Sequence, residues 1–237
     1  MTPENPRPAR FATDAILYSF RRCPYAMRAR MALAVSGADP EQREVVLARK
    51  PVPMLEAGTA GTVPLLVLDE GTVLEESLDI MDWSLSVSDP CDWLRARQDP
   101  SLCALVELND DRFKAAVDRY KYPQRRGLQR DDQAASEGAT CLQALEQRLT
   151  QRYIGGSSPD FFDAALFPFV RQFAAVDEAW FNGLPLPNVQ AWRAQMLVHP
   201  AFTTVMRKVP EWAVGAPPTR FRACLVSPCV DGPGTGA

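Results

Sequence analysis

Between Ala15 and Gly37 the chain changes its hydrophobic period once, and a proline marks the change. Ala15-Ile16-Leu17-Tyr18-Ser19-Phe20 is a short apolar run bounded by charge, the pattern of a buried strand. Arg21 and Arg22 follow, then Cys23-Pro24-Tyr25-Ala26, and from there Met27, Met31, Ala34 and Val35 recur at helical spacing as far as Gly37. Proline is tolerated in the first turn of a helix, where its missing N–H has no partner to lose, and glycine suits the left-handed end. The segment therefore predicts a strand that stops, a helix that starts, and a cysteine at the junction.

That position gives Cys23 a chemical reading. Unpaired N–H groups at a helix N-terminus favour an anion, so a thiolate there is stabilised and the thiol pKa is expected to fall. Arg21 and Arg22 add positive charge. A free cysteine is often only a buried packing group, but the strand–Cys-Pro–helix setting favours reactivity. Position 26 is alanine, so the chemistry implied uses one sulfur.

The first 85 residues continue to alternate. Glu44 to Ala48 reads as a second strand, a loop rich in Gly and Thr spans Gly58 to Thr62, and Val63-Pro64 leads into Leu65 to Leu68. Asp69-Glu70-Gly71 turns that strand back into Val73-Leu74 as a hairpin. Glu76-Ser77 opens a helix with Leu78, Met81 and Leu85 on one face. The order expected is β-α-β, then β-β-α. Ser86 to Pro100, with Pro90, Pro100 and several Asp and Ser, reads as a linker.

Beyond it the signals are helical: Leu102 to Tyr120, Asp132 to Tyr153, Asp160 to Val176, Val189 to Val198, and a shorter piece near Ala201 to Val209. Asp160 and Asp163 precede an apolar run in the manner of a capping box. Pro168 lies inside that helix and is expected to kink it. The proline- and glycine-rich end is expected to be poorly ordered. No internal repeat is present.

Composition excludes several classes. Net charge is −3, from 26 basic and 29 acidic residues, which gives no footprint for nucleic acid. Lys121 to Arg130 is a short basic stretch of the kind that solvates a helix end. No apolar run approaches the ~18 residues that span a bilayer, and the first dozen residues lack the apolar core of a secretory signal. The six cysteines, at 23, 91, 103, 141, 224 and 229, are too scattered for a disulfide framework. A reducing, cytoplasmic setting is expected. Cys224 and Cys229 have no accompanying ligands, so no metal is expected.

Three further pieces complete a pocket. An X-Pro bond at a strand start, such as Val63-Pro64, suits a cis peptide, although only roughly 5–6% of X-Pro bonds are cis. In the cis form the Val63 backbone would face an extended, peptide-like ligand. The Ser77 hydroxyl and the helix N–H groups suit a carboxylate, and Glu76 suits an ammonium. Lys50 suits a second carboxylate. Each has a plainer reading: Ser77 as a cap, Lys50 as a surface lysine. His199, the only histidine, precedes Pro200 and reads as a turn residue and not as a base for Cys23. Tyr18 and Ser19 are hydroxyl rivals to Cys23, expected to be core and strand-end residues. No G-x-G-x-x-G follows a strand.

These stretches resemble the glutathione transferases, and within them the cysteine-type omega-class and glutaredoxin-like bacterial members. The matching segments are Arg22-Cys23-Pro24-Tyr25-Ala26-x-Arg28, Lys50-Pro51, Gly61-Thr62-Val63-Pro64, Glu75-Glu76-Ser77-Leu78-Asp79-Ile80, and Asp163 to Phe173. The resemblance runs from about Ala15 to Trp212 and implies an α/β plus all-α protein. A thioredoxin-like glutathione-binding domain is expected over 13–86, a linker over 87–99 and an all-helical domain over 100–212, with tails at 1–12 and 213–237. By position Cys23 matches the catalytic cysteine, Pro64 the cis-proline, and Lys50, Val63, Glu76 and Ser77 the glutathione-binding set, with Arg21 and Arg22 as supporting charge. Glutathione is the implied co-substrate. The second substrate would sit between the domains, partly against the Leu102–Tyr122 helix, and a homodimer is implied.

Three functions follow. In the first, Cys23 forms a mixed disulfide with glutathione and acts as a thiol transferase. In the second, glutathione is conjugated to an electrophile, with a hydroxyl such as that of Ser19 or Tyr18 aiding its thiolate. In the third, the scaffold binds or regulates without turnover.

Overall fold

The structure is a computed structural model and describes residues 15–221 except Glu70. These residues form two compact units: 15–91 together with 200–221, and 92–199. The expected signals at either end, including Cys224 and Cys229, lie outside the described residues.

The first unit is built on a four-stranded sheet of order β2-β1-β3-β4. β1 (Ile16–Ser19) pairs in parallel with β2 (Glu41–Glu44) and antiparallel with β3 (Leu65–Val67), and β3 pairs antiparallel with β4 (Val73–Leu74). The period-2 alternation of strands divides the side chains. Tyr18, Leu65, Val67 and Val73 pack on one face with Met54 of α2 (Val52–Ala57), and Cys23 packs against the same cluster. Leu66 lies on the other face beside Leu33 of α1 (Pro24–Ser36) and Trp83 of α3 (Ser77–Val87). α1 packs on α3 and is buried along its whole length except at Tyr25. It ends at Gly37 with φ +82°, a conformation that costs a non-glycine residue about 1 kcal/mol or more.

β1, α1, the β3–β4 hairpin and α3 fall where their periodicity predicts. β2 does not: it spans Glu41–Glu44 and not Glu44–Ala48. Register decides this. Ser19, the last residue of β1, pairs with Glu44, and only the Val45 N–H continues the ladder, to the Ser19 carbonyl at 2.8 Å. The chain then turns, and Leu47 is 45% exposed. The apolar look of Val45-Val46-Leu47 marked a turn and not a strand. The short helix α2 also lies between the two expected halves; six residues with one buried side chain, Met54, carry too little pattern to register.

The polar β2 edge is covered by the returning chain. After α10 (Pro200–Val205), which packs on α1, Trp212 N–H donates to the Glu44 carbonyl at 2.9 Å. Gln42 N–H donates to Thr219 at 2.7 Å, and Phe221 N–H to Pro40 at 3.0 Å. Covering an edge in this way removes a template for aggregation. Within the span expected as tail, Thr219 to Phe221 thus lie against the β2 edge, and Arg43 stacks over the Trp212 ring at 4.3 Å.

The second unit is helical: α4 (Pro100–Leu108), α5 (Lys114–Lys121), α6 (Asp132–Arg148), α7 (Phe161–Ala174), α8 (Glu178–Asn182) and α9 (Pro187–Val198). The expected helix from Leu102 to Tyr120 is interrupted by a π turn at Asn109–Phe113, and α6 stops at Arg148, short of Tyr153. The expected linker holds a 3₁₀ turn, Trp93–Gln98, whose Trp93 is fully buried. α7 carries the core through Phe161, Phe162, Phe167, Phe169 and Phe173, with Pro168 inside it. Its capping box is present: Asp160 accepts from the Phe162 and Asp163 N–H groups, and Asp163 accepts from Asp160 N–H at 2.9 Å. Asp163 also accepts from Ile154, Gly155 and the Trp192 indole at 2.6 Å. Burial and the neighbouring Asp160 carboxylate push its pKa up, against the pull of those donors. No helix among the described residues is long and apolar enough to cross a membrane.

Candidate active site

The strand register brings the expected residues to one end of the sheet. β1 runs toward Cys23, and its Tyr18 pairs with Leu65, the residue after Val63-Pro64. β3 returns through β4, whose Leu74 pairs with Leu66, so Glu75, Glu76 and Ser77 emerge beside the same end. The antiparallel pairings of β1 with β3 and of β3 with β4 thus bring together residues separated by more than 50 positions.

Cys23 is the N-cap of α1, half-buried, in extended backbone with Pro24 at the first helical position. Its N–H donates to the Phe20 carbonyl at 3.0 Å, closing the turn through Arg21 and Arg22. The sulfur makes no capping hydrogen bond to α1. Instead the thiol donates to the Val63 carbonyl at 3.6 Å. The Val63-Pro64 bond is cis, as the strand start suggested. Val63 and Pro64 are buried, and the Val63 carbonyl is turned toward the sulfur.

Ser77 is the first residue of α3 and is buried, while Glu76 is its N-cap and exposed. The Glu76 side chain makes no capping hydrogen bond, and Ser77 stands one position past the N-cap. Lys50 is exposed, one residue ahead of the Pro51 N-cap of α2. Arg21 is half-buried and Arg22 exposed, the latter over the Phe20 ring at 5.7 Å. The structure therefore gathers Cys23, Val63, Pro64, Glu76 and Ser77 at one sheet end, and Lys50 is exposed on the segment that follows β2.

The hydroxyl rivals are engaged elsewhere. Tyr18 is 2% exposed and its hydroxyl accepts from Arg43 at 2.7 Å; Ser19 is fully buried and accepts from Arg30. His199 ends α9 in the second unit, buried and edge-on to Tyr153 at 6.1 Å. Cys103 and Cys141, like Cys23, are not held in a disulfide. Cys91 is held in a disulfide, which the expectation of reduced thiols did not include.

Two residues at this end carry weight that the sequence did not reveal. Glu75 accepts from Thr59 N–H, from the Thr59 hydroxyl at 2.9 Å and from Ala60 N–H at 3.2 Å, which fastens the loop leading to Val63. Gly58 permits this approach, since a Cβ there would stand 2.8 Å from Glu75 Oε1 and 3.0 Å from Leu65. Arg30 is fully buried under the Phe20–Arg21 turn. A signal for Arg30 did exist: Ala26 to Val35 holds only Arg28 and Arg30 among apolar residues, the composition of a helix buried all round.

Comparison with known proteins agrees with this geometry. Residues 17–86 match the family model for the glutathione S-transferase N-terminal domain, and residues 110–195 match that for the C-terminal domain. The chain is 25% identical over 207 residues to glutathione S-transferase omega-1 of Sus scrofa, covering 80% of this chain and 79% of that protein. In fold it is similar to a trimeric glutathione transferase of Leishmania (TM-score 0.68, 24% identity, 82% of this chain). It spans only 46% of the Leishmania chain. It is similar also to a glutathione S-transferase I bound with lactoylglutathione (TM-score 0.67, 22% identity, 82% of this chain and 99% of that one). With a mixed four-stranded sheet carrying a cysteine and a cis-proline at one end, a helical second unit, and both family domains matched in order, the chain belongs to the glutathione S-transferase superfamily.

Proposed function

We propose that this glutathione transferase is of the cysteine type and acts as a thiol transferase through Cys23. The observation that carries the reading is the pairing of a half-buried cysteine at a helix N-cap with the Val63 carbonyl beside a cis-proline. In this reading the Val63 backbone meets the cysteinyl part of glutathione as a short β-bridge. Ser77 and the first N–H groups of α3 hold the carboxylate of its γ-glutamyl end, and Glu76 meets the ammonium. Lys50 meets the glycyl carboxylate, and Arg21 and Arg22 keep the approach positive.

The reaction runs in two exchanges. Cys23 thiolate attacks the glutathione sulfur of a mixed disulfide, forms Cys23–S–S–glutathione and expels the substrate thiolate, which takes a proton. A free glutathione thiolate then attacks the bound glutathione sulfur, releasing oxidised glutathione and restoring Cys23. The resolving thiol comes from solution because position 26 is Ala26. A reducing, cytoplasmic compartment supplies that thiol. A homodimer is part of the reading, supported by Leu47, Val52 and Leu55, exposed large apolar side chains of the first unit; sedimentation at micromolar concentration tests it.

Conjugation to electrophiles is the less favoured reading, because Ser19 and Tyr18 are buried and already hydrogen-bonded. Turnover of a glutathionylated peptide by wild type and Cys23→Ala decides between them. Thiol transfer lost with Cys23 supports the proposal. Full thiol transfer by Cys23→Ala overturns it.

A further inference from the structure

Arg30 is one of the largest fully buried side chains in the first unit, and its contacts converge on the turn before Cys23. Nη2 donates to the Arg21 carbonyl at 2.8 Å and Nη1 to the Phe20 carbonyl at 3.4 Å and to the Ser19 hydroxyl. Nε donates to the Val205 carbonyl of α10 at 3.2 Å. The guanidinium is thus a planar fork that pins three consecutive residues, Ser19 to Arg21, to the flank of α1, and ties them to α10. The Phe20 carbonyl it reaches is the one that accepts from Cys23 N–H.

A buried cation needs compensation. The charged groups that face Arg30 are Glu44 of β2, Arg21 of the turn, and Cys23 itself. Burial lowers the Arg30 pKa to about 10, and the attractions to Glu44 and to the Cys23 sulfur act in the opposite direction. Glu44 in turn accepts from Arg21 N–H at 2.6 Å. Attraction between two charges is mutual: a guanidinium held up by a thiolate favours that thiolate equally.

We propose that Arg30 is the positioning residue for Cys23, clamping the Phe20–Arg21 turn that presents the sulfur and furnishing the buried positive charge that favours its thiolate. The proposal rests on the reading of Cys23 as the reactive thiol. It assigns the activation to a residue inside α1 and not to the exposed Arg22.

The test is the pH dependence of Cys23 alkylation by iodoacetamide, read by peptide mass spectrometry. Arg30→Met should move the midpoint up by about one pH unit or more, the effect of losing an opposite charge. Glu44→Gln, which keeps an acceptor for Arg21 N–H but removes the negative charge beside Arg30, should move it down. A merely structural role would not shift the two variants in opposite directions. Should Arg30→Met not fold, the native protein still decides: the Arg30 Nε–H nuclear magnetic resonance signal should shift with the same midpoint as Cys23 alkylation. A low wild-type midpoint that Arg30→Met leaves in place, or an Arg30 signal that ignores Cys23, overturns this inference and spares the reactive-thiol reading. A wild-type midpoint at about 8.5, that of an ordinary cysteine, overturns the reactive-thiol reading and this inference with it.

Discussion

The Cys23 sulfur lies 3.6 Å from the carbonyl oxygen of Val63, forty residues further along the chain. That contact exists because Tyr18 and Leu65 face each other across β1 and β3, so the chain leaving one strand meets the chain entering the other. Sheet register, more than local sequence, builds the site.

Cys23→Ser keeps a small polar group at the N-cap of α1 but replaces the thiolate by a hydroxyl that is not ionised near neutrality. Thiol transfer should fall to background while thermal stability stays close to wild type. A serine variant that retains turnover in the glutathionylated-peptide assay would assign the chemistry elsewhere.

Ser77→Ala removes one buried hydroxyl at the start of α3, one position past its Glu76 N-cap. A hydrogen bond to a charged partner contributes about 1.5–3 kcal/mol, so glutathione should bind roughly 10- to 100-fold more weakly. Titration calorimetry measures this. Unchanged affinity would remove Ser77 from the binding set.

Glu75 gives the loop at Thr59 a pH dependence. The Thr59 N–H, then its hydroxyl, hold the Glu75 carboxyl below its ordinary value of 4.5. A lowered folded value means the stabilisation is present above the unfolded value and is lost as pH falls through the folded one. Hydrogen exchange at the Thr59 and Ala60 amides, corrected for intrinsic rates, should show protection falling with acid below about 4.5. Glu75→Gln should flatten that dependence.

The legible parts of this fold are those set by local pattern. β1, α1 and the hairpin carry their own period and punctuation, and Gly37 and Asp160 mark helix ends where the structure has them. β2 was not legible, because the Ile16–Glu41 register and the returning 211–221 segment place it, while the apolar Val45-Val46-Leu47 points a few residues too far along. In the site, Cys23, Val63-Pro64 and Ser77 stand in recognisable local settings. Glu75 and Arg30 act through residues 15 and 9 positions away or more, and an acidic or basic side chain on a helix or strand end reads by default as solvated.

Asp163 is the corresponding point in the helical unit. Four N–H groups, of Ile154, Gly155, Asp160 and the Trp192 indole, converge on one buried carboxylate. Asp163→Ala leaves them without that acceptor and should cost at least about 3 kcal/mol, since each buried donor left unmatched costs about 1–3. Urea denaturation with an unchanged slope and a lower midpoint checks it.

Mass spectrometry of the protein exposed to oxidised glutathione tests for the Cys23–glutathione disulfide itself. One glutathionyl adduct is expected, on the peptide containing Cys23, removed by added glutathione and absent in Cys23→Ala. An unmodified Cys23, with adducts on Cys103 or Cys141 in its place, would contradict it.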